Sequence, residues 1–481
     1  MRVAIAYPPL PSEKGVPLLA QNRQFQWFHR PTYIYPVVPA LAATMARDAG
    51  HEVAWLDGIA EQWTPEIFEA RLTAFNPDLV MIETKTPVVK THWACIAGLK
   101  ARLPATRIVM VGDHVTALPA ESFANCPVDY ILTGGNYDFL LVNLLAHLAR
   151  GDELEPGIYW REDGAVRNSG AFQLDHDLKT QPWIDRDLTH WQLYATQNGN
   201  YRRVPGTYIM SGRDCWHGKC TFCSWTTLYP SYRTRDPIDV VNEIGQLIEK
   251  YGVREIMDDA GSLPVGAWLQ TFCREMIARG YNRRVNIDCN MRFGRLTEAD
   301  YRLMKQAGFR LILFGLESAN QATLDRLVKG VQVEQIRDGA RAASRAGLNV
   351  HVTVMFGYPW EGEAEVDRTV ELARTLLRKG EAYTLQVTMV VPYPGTPLFR
   401  ELDAQGLLQT HDWDAYDMRA AVMKCPVPEE TIKAAVRRVY KAFLLPETIA
   451  RRLLATRNPV EDIRFYWRGF RSLIGHLMDF S

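Results

Sequence analysis

The sequence predicts an α/β protein with two successive units of parallel strands and a helical C-terminal region. Short apolar runs alternate with amphipathic helical stretches through the first 150 residues, and the alternation resumes from residue 207. A cysteine-rich loop follows the first strand of the second unit. We therefore divide the chain into a doubly wound sheet at 1–150, a linker with a hairpin at 151–206, a partial six-stranded barrel at 207–405 and a helical region at 406–481.

Composition narrows the class of protein. A chain of 481 residues is long enough for two or three domains. Lysine plus arginine equals aspartate plus glutamate at 55 each, so no global field favours nucleic acid or anionic membranes. The sequence has no apolar run of about 18 residues, which a membrane span needs. Eight cysteines, five of them scattered, favour a reducing compartment, and we expect a cytoplasmic protein.

The first unit carries five predicted strands separated by helical stretches. The strands are Arg2–Tyr7, Glu52–Asp57, Asp78–Glu83, Arg107–Gly112 and Asp129–Thr133. In doubly wound sheets ligands bind outside the carboxyl ends of the strands. The loops at those ends contain small and hydroxyl residues that let a large cofactor approach the backbone, and the candidate contacts are Thr84, Thr86, Gly112, His114, Gly134 and Gly135.

The second unit gathers polar side chains at the same kind of edge. Its predicted strands are Tyr208–Ser211, Glu255–Asp258, Arg284–Cys289, Arg310–Gly315, Asn349–Phe356 and Thr384–Val391. In barrels of parallel strands the functional groups lie at the carboxyl ends. The residues that close these strands are Asp258, Asp259, Asn290, Arg292, Glu317 and Gly357. Each alone would suit a loop or a helix N-cap, but together they converge on one rim.

The cysteine loop, SGRDCWHGKCTFCSW, places Cys215, Cys220 and Cys223 within nine residues. An odd number of thiols in so short a loop is a poor disulfide framework and a good metal site. Three thiolates could hold an iron–sulfur cluster with one iron open to another ligand, since such clusters usually take four cysteines. The alternative is a structural zinc held by the three cysteines and His217.

Several segments of the second unit resemble the radical S-adenosylmethionine (SAM) superfamily. They are CTFCSW, IMDDAGS, FGLESANQATLDRLVKG, HVTVMFGYPWEGE and VVPYPGTPLF. GDHVTALPAESF extends the resemblance to the cobalamin-binding radical SAM proteins, which include class B methyltransferases and the anaerobic magnesium-protoporphyrin cyclase. The resemblance implies a Rossmann-like, cobalamin-binding first unit, to which the six loop residues above would belong, and a radical SAM partial (β/α)6 barrel.

The resemblance also implies cofactors and their contacts. Cys215, Cys220 and Cys223 would hold a [4Fe-4S] cluster whose fourth iron binds SAM. Reduction would cleave SAM to a 5′-deoxyadenosyl radical, which abstracts a hydrogen from an unactivated carbon. Met257, Asp258 and Asp259 sit where the family contacts the methionine amino group, Glu317 where it contacts ribose or amine, and Phe222 where it covers adenine. Asn290, Arg292 and Gly357 complete the expected cofactor contacts.

The sequence departs from the family pattern in two places. Four residues, Trp216–Lys219, separate the first two cysteines, where the family has three. The D-x-H-x-x-G motif of many cobalamin domains is absent, and Tyr7-Pro8-Pro9-Leu10 stands after the first strand. Cobalamin would therefore bind without a histidine from that motif.

We predict a cobalamin-dependent enzyme that methylates an unactivated carbon of a small-molecule or lipid-like substrate. The alternative within the class is an oxidative cyclase or ring-rearrangement enzyme without methyl transfer. Cys289, expected at a strand end facing the site, is a candidate hydrogen donor. The expected electron donor is a flavodoxin or ferredoxin. The aromatic segment Phe25–Tyr35 could line a cavity for a large apolar substrate, and the C-terminal helices could cap the barrel or contact a lipid-like molecule.

Overall fold

The computed structural model describes residues 1–18, 25–213, 215–228, 230–454, 463, 465–467 and 469. It confirms the predicted α/β class, with two sheets that follow each other along the chain. None of the described helices combines the length and the apolar character needed to cross a bilayer.

The first sheet has seven strands. The strands of this unit are β1 (Arg2–Tyr7), β2 (Val16–Pro17), β3 (Trp27–Phe28), β4 (Glu52–Asp57), β5 (Leu79–Glu83), β6 (Arg107–Val111), β7 (Tyr130–Leu132), β8 (Ile158–Glu162) and β9 (Ala165–Asn168). Of these nine, β2 and β3 pair only with each other, as a separate antiparallel ribbon. The order is β4-β1-β5-β6-β7-β8-β9, and the first five strands are parallel. The hairpin β8–β9, which we expected in the linker, pairs antiparallel with β7 and so extends this sheet.

Helices cover both faces of this sheet because β5 and β6, LVMIE and RIVMV, are almost continuously apolar and buried on both sides. The helices are α1 (Val37–Asp48), α2 (Pro65–Phe75), α3 (Val89–Arg102), α4 (Asp113–Ala117), α5 (Pro119–Asn125) and α6 (Tyr137–Arg150). The strand order reverses between β1 and β5, where such folds usually open a ligand crevice. Here side chains occupy that point, and the Tyr7 hydroxyl donates a hydrogen bond to the Glu83 carboxylate with 2.5 Å between the oxygens.

The second sheet has six parallel strands in sequential order. They are β10 (Gly206–Ile209), β11 (Glu255–Asp258), β12 (Asn286–Met291), β13 (Phe309–Glu317), β14 (Asn349–Phe356) and β15 (Thr384–Met389). Helices follow the strands, namely α7 (Trp225–Leu228), α8 (Pro237–Tyr251), α9 (Ala267–Ala278), α10 (Glu298–Gln306), α11 (Gln321–Arg326), α12 (Val333–Arg345) and α13 (Glu363–Lys379). Within the described chain β10 and β15 do not pair, so the barrel is open along that side.

Local sequence signals set the helix ends of this unit. Asp236 caps α8 by accepting hydrogen bonds from the backbone N–H groups of Ile238 and Asp239, and Pro237 occupies the first turn. Gly252 ends the helix in the left-handed conformation, which glycine adopts without a steric penalty. These signals explain why the predicted helix at Asp236–Tyr251 differs from the observed one only at its capping residue.

The C-terminal region contains α14 (Pro397–Ala404), α15 (Glu429–Lys441) and α16 (Pro446–Leu454). Between α14 and α15 the chain returns to the first unit. Trp413 packs edge-on against His114 with ring centroids 5.3 Å apart, and its indole N–H donates to Glu121 at 2.9 Å. Lys90 adds ion pairs of 2.8 Å to Asp412 and Asp414. The C-terminal region therefore covers part of the carboxyl edge of the first sheet.

The carboxyl ends of both sheets face each other across a buried ion pair. Arg213, just after β10, binds Asp138 of α6 through both guanidinium nitrogens, with Nη1 at 2.6 Å from Oδ1. Arg213 is 1% and Asp138 0% exposed. The N–H of Gly135 also donates to the carbonyl of Leu228 in α7, at 2.8 Å. Both contacts lie beside the cysteine loop, so they fix that loop against the first unit.

We expect the loss of either partner in this pair to be strongly destabilising. Asp138→Ala or Arg213→Ala would leave an uncompensated buried charge, and we expect a loss of about 3–5 kcal/mol in the free energy of unfolding. The double replacement Arg213→Met with Asp138→Leu leaves no unpaired charge, so its loss in the free energy of unfolding should be smaller than the sum of the two single losses. Glu298→Ala, in an exposed pair with Arg302, is the control and should change stability by under about 1 kcal/mol. Chemical denaturation measures the free energy of unfolding of these four variants. A loss for Asp138→Ala or Arg213→Ala no larger than that for Glu298→Ala would contradict the expectation.

We also expect one buried carboxyl group, Asp57 at the end of β4, to make stability depend on pH. Burial raises its pKa from 3.8 to about 6, although hydrogen bonds from Tyr194, Ala60 and Ile59 oppose the shift. Folding therefore takes up a proton between these values, and this contribution is full below about pH 4 and lost as the pH rises through about 6. As the pH rises from about 4 to above 6, the free energy of unfolding of Asp57→Asn should increase by about 2–3 kcal/mol relative to that of the wild type.

Denaturation curves at several pH values measure this gain. Asp48→Asn, which changes an exposed carboxylate, serves as the control and should run parallel to the wild type. Parallel curves for Asp57→Asn as well would rule out the assignment.

Candidate active site

A cavity of about 700 Å³ lies inside the second unit, and residues of the first unit line part of it. Its floor and sides are the inward faces of the strands from β12 to β15, together with the cysteine loop. The loop after β1 closes part of it through Gln26, Phe28, Thr32 and Ile34. The aromatic segment Phe25–Tyr35 therefore lines a cavity, as expected.

All three cysteines of the loop lie on the cavity wall. Backbone hydrogen bonds hold the loop from two sides. The N–H of Thr221 donates to the carbonyl of Leu327 at 3.0 Å, and its carbonyl accepts from the N–H of Leu398 at 2.9 Å. The Nε2 of His217 lies 2.6 Å from the carbonyl of Val328. The loop is thus anchored to the segment that follows α11.

That segment, Leu327–Gly330, presents three consecutive carbonyls to the site. These residues follow the last turn of α11, and their carbonyls accept from the N–H of Thr221, from the ring of His217 and, at Lys329, from the guanidinium of Arg292. The backbone turns sharply to do so, because φ is +50° at Val328 and +63° at Gly330. A β-branched residue at positive φ is a strained conformation that the surrounding contacts must maintain.

Two cations flank the thiols. Arg292 Nη1 lies 3.6 Å from Cys220 Sγ, and Lys329 lies on the same wall. Burial raises the pKa of the Cys220 thiol, and both cations oppose that shift by favouring the thiolate. Since the thiolate is the form that binds metal, the surroundings suit a metal–sulfur group. The donor set and its charge therefore fit the predicted cluster.

Glu317 and Lys329 form a buried ion pair of 2.6 Å on the wall next to Cys220. Glu317 stands at the end of β13, after a register shift, with φ at +63°. Gly315 makes the pair possible, because a Cβ at that position would overlap both the carboxylate and the ammonium group. The predicted Glu317 is therefore in the site. Lys329 was not among the predicted contacts. The only sequence feature that points to it is its position before Gly330, at the end of FGLESANQATLDRLVKG.

Only some of the other predicted SAM contacts line the cavity. Phe222, Asp259, Asn290 and Arg292 line the cavity. Three others do not: Met257 is fully buried in the core, Asp258 accepts hydrogen bonds from the backbone N–H groups of Ser211 and Ala260, and Gly357 accepts from the thiol of Cys425. Asp258 stabilises the end of β10, and burial raises its pKa. The expectation that these three contact the cofactor disagrees with their positions.

Cys289 was wrongly expected to face the site. It is 0% exposed and lies in the core on the helix-facing side of β12, close to Cys273 of α9 and Tyr301 of α10. Burial raises its pKa well above the ordinary value. Adjacent residues of a strand point to opposite faces, so the inward position of Asn290 turns Cys289 outward. A hydrogen-donor role does not fit this position.

The residues predicted to contact cobalamin lie at the carboxyl edge of the first sheet but outside the cavity wall. They are Thr84, Thr86, Gly112, His114, Gly134 and Gly135. His114 is buried and hydrogen-bonds Thr86 and Glu121 through its two ring nitrogens, at 3.2 and 3.1 Å. A Cβ on Gly112 would collide with the carbonyl of Thr84. All six residues are buried at that edge, and none of them lines the cavity.

The alternative of a single structural zinc does not fit the geometry. Among the described residues, no three histidine, cysteine, aspartate or glutamate side chains are placed to hold one ion. A four-iron cluster does not need such convergence, because each thiolate binds a different iron. His217 also directs its Nε2 to a backbone carbonyl.

The chain is similar to several known proteins. Residues 209–373 match the Radical SAM superfamily, which confirms the resemblance seen in the sequence. An uncharacterized methyltransferase of Pyrococcus horikoshii is 28% identical over 85% of this chain and 88% of its own length. The anaerobic magnesium-protoporphyrin IX monomethyl ester cyclase of Cereibacter sphaeroides is 24% identical over 77% of this chain, which spans 60% of that protein.

Two solved structures share the fold. TsrM from Kitasatospora setae, a radical SAM methyltransferase with cobalamin and a [4Fe-4S] cluster bound, has a TM-score of 0.67 at 18% identity, over 84% of this chain and 78% of its own. OxsB, a cobalamin-dependent SAM radical enzyme, has a TM-score of 0.72 at 14% identity, over 99% of this chain and 71% of its own. Both alignments include the first unit, so the two-unit architecture is shared.

Replacement of the loop cysteines should abolish iron binding without unfolding the chain. After anaerobic reconstitution we expect about four irons per wild-type chain, and under about one for Cys215→Ala, Cys220→Ala or Cys223→Ala. Cys289→Ala, which removes a buried thiol outside the cavity, is the matched control and should keep its iron. Iron and sulfide analysis with absorption spectra measures this. Full iron loading in Cys220→Ala would contradict the assignment.

Proposed function

We propose that the protein is a radical SAM enzyme that methylates an unactivated carbon of its substrate with the help of cobalamin. The observation that carries the proposal is the convergence of three thiols, the Glu317–Lys329 pair and Asp259 on one cavity wall. A [4Fe-4S] cluster held by Cys215, Cys220 and Cys223 would supply the electron that cleaves SAM to methionine and a 5′-deoxyadenosyl radical.

The charged side chains around the thiols bind and orient the cosubstrate. Glu317 and Asp259 can accept hydrogen bonds from an ammonium group or from ribose hydroxyls, as buried carboxylates do strongly. Lys329 and Arg292 offset the negative charge of the thiolates and of a carboxylate bound near them. Phe222 offers an aromatic face on the same wall. The cofactor carries the chemistry, and these residues place it.

The rest of the cavity excludes water from the reaction. Its middle is lined by apolar and aromatic side chains, including Leu313, Met355, Met389 and Tyr393. Such a lining prevents side reactions of a reactive intermediate. Cys289 lies outside this lining.

Cobalamin, when bound, would carry the methyl group. Its support is the fold shared with TsrM and OxsB across both units. The part of the cavity wall that the first unit supplies is the loop after β1, where Leu18, Phe28 and Ile34 form an apolar surface without a histidine. This agrees with cobalamin bound without a histidine ligand.

Oxidative cyclisation without methyl transfer is the second candidate. The observation that favours it is the similarity to a cyclase over 77% of this chain. The same cavity and the same cleavage of SAM serve both reactions, so the two differ only in the fate of the substrate. A small electron-transfer protein such as a flavodoxin or ferredoxin would reduce the cluster. The eight free thiols suit a reducing compartment, and we place the enzyme in the cytoplasm.

Glu317→Gln should slow SAM cleavage by about 10- to 100-fold, because the charge-assisted hydrogen bond that it offers is lost. Iron content should stay at the wild-type level, because Glu317 is not a cluster ligand. The release of 5′-deoxyadenosine under reduction measures the effect. Glu401→Gln, in an exposed pair with Arg326, is the control and should cleave SAM normally. Zinc at one per chain with no cleavage in the wild type would overturn the proposal.

A further inference from the structure

Two glutamine side chains meet on the cavity wall, across the open side of the barrel. Gln386 of β15 donates from its Nε2 to the Oε1 of Gln26, in the loop after β1, at 3.1 Å. Both residues line the cavity and are half-buried. The chemistry proposed for the thiols gives these two amides no role.

The direction of the Gln26 side chain is fixed by its neighbours in the chain. Phe25 and Trp27 are buried in the core and pack edge-on, with ring centroids 5.2 Å apart. Successive side chains of an extended segment point to opposite sides, so Gln26 and Phe28 turn to the cavity, which both of them line. The carbonyl of Gln26 accepts from the N–H of Leu18 at 2.7 Å, which anchors the backbone at this point.

The two amides share one hydrogen bond, which leaves one donor and one acceptor free. No hydrogen bond within the described chain engages the Nε2 of Gln26 or the Oε1 of Gln386. Neither of these atoms is enclosed by protein, so both are accessible to a ligand. Exchanging nitrogen and oxygen in both amides gives the same result, because one amide then still offers N–H and the other C=O. The pair therefore presents a donor beside an acceptor.

The surroundings of the pair favour an uncharged ligand. The charged side chains on the cavity wall are Asp259, Arg292, Arg310, Glu317 and Lys329. Within the described chain none of them forms a hydrogen bond to either glutamine. An ionised ligand group would thus find no opposite charge in contact with the amides. An uncharged N–H next to a C=O would match both free atoms.

The amide pair lies at a short distance from the charged pair beside the thiols. Gln386 is in register with Thr353 of β14, Thr353 is in register with Gly315 of β13, and all three line the cavity. Neighbouring strands are about 4.8 Å apart, so the backbone of Gln386 is about 10 Å from that of Gly315. The side chains of Glu317 and Lys329 lie against Gly315. A small molecule bound by the amides can therefore extend to the place proposed for SAM.

We propose that Gln26 and Gln386 form a substrate subsite that recognises a neutral amide group whose N–H and C=O point the same way. Ring amides and primary carboxamides have this arrangement, whereas a trans peptide bond directs the two groups to opposite sides. The ligand N–H donates to the Oε1 of Gln386, and the ligand C=O accepts from the Nε2 of Gln26. The rest of the molecule packs on apolar wall residues such as Phe28 and Leu385. The inference rests on the proposed function and adds the class of substrate.

Equilibrium dialysis of the anaerobic, iron-loaded enzyme with SAM tests the subsite. The ring-amide probe is 2-quinolinone, and its matched analogues are coumarin, in which oxygen replaces the N–H, and 1-methyl-2-quinolinone. We expect 2-quinolinone to bind about tenfold more tightly than either analogue, because only it supplies both hydrogen bonds. The compounds 2-naphthamide and N,N-dimethyl-2-naphthamide make the same comparison for primary carboxamides. The larger of the two preferences identifies the form of amide in the substrate.

Replacement of the amides separates recognition from shape. The double variant Gln26→Met with Gln386→Met keeps the length of both side chains, and it should bind 2-quinolinone and coumarin equally. Gln386→Glu offers acceptors only, and Gln26 donates to it. This variant should bind 2-aminoquinoline, whose protonated form carries two N–H donors, more tightly than 2-quinolinone. Gln405→Glu changes an exposed glutamine that follows α14, and this matched control should keep the preference for 2-quinolinone.

The inference is overturned if neither amide probe binds more tightly than its analogues, if the double variant keeps the preference, or if Gln386→Glu still favours 2-quinolinone. Should the double variant fail to fold, the change of preference in Gln386→Glu decides the question. Release of 5′-deoxyadenosine is measured on the same samples. An amide preference without SAM cleavage would overturn the proposed function alone, and cleavage without an amide preference would overturn the subsite alone.

Discussion

The site depends on three backbone carbonyls at the end of one short helix. Leu327, Val328 and Lys329 follow α11, and their carbonyls accept hydrogen bonds from the cysteine loop twice and from Arg292 once. Lys329 then reaches Glu317 with its side chain. Because these contacts come from consecutive residues, any shift of this turn would move the thiols, the guanidinium and the carboxylate together. The strained φ of Val328 is the conformational cost of that arrangement.

The strands could be predicted from the sequence more closely than the directions of their side chains. Arg2–Tyr7, Glu52–Asp57, Glu255–Asp258 and Asn349–Phe356 have the predicted bounds. The apolar runs that define them carry no information on which face turns to the cavity, because both faces of these parallel strands are covered. Asp258 and Asp259 were both expected in the site, as were Cys289 and Asn290. Only Asp259 and Asn290 line the cavity, whereas Asp258 and Cys289 are buried away from it.

The contacts between distant parts of the chain were beyond prediction. Trp413 and Glu121 are 292 residues apart in sequence, and nothing in either segment indicates that they meet. The same is true of Arg310, whose partners Glu255 and Asp288 come from two other strands. The cysteines could be selected from their spacing and Glu317 from its position at a strand end, and the resemblance to the family supplied their expected roles. The predicted first-unit contacts came from strand-end loops, one of them in GDHVTALPAESF, and none of them lines the cavity.

The open side of the barrel has a consequence for how molecules exchange with the site. Between β10 and β15 the wall is completed by the loop after β1, and Gln386 of β15 donates a side-chain hydrogen bond to Gln26 of that loop at 3.1 Å. The barrel is therefore open between β10 and β15, and a loop from the first unit closes this gap through side-chain contacts. That loop is itself part of the core, because Phe25, Trp27 and Tyr35 are buried in the largest hydrophobic cluster. A large molecule that exchanged through this side would have to displace buried packing, so the loop that completes the wall also restricts access to the thiols.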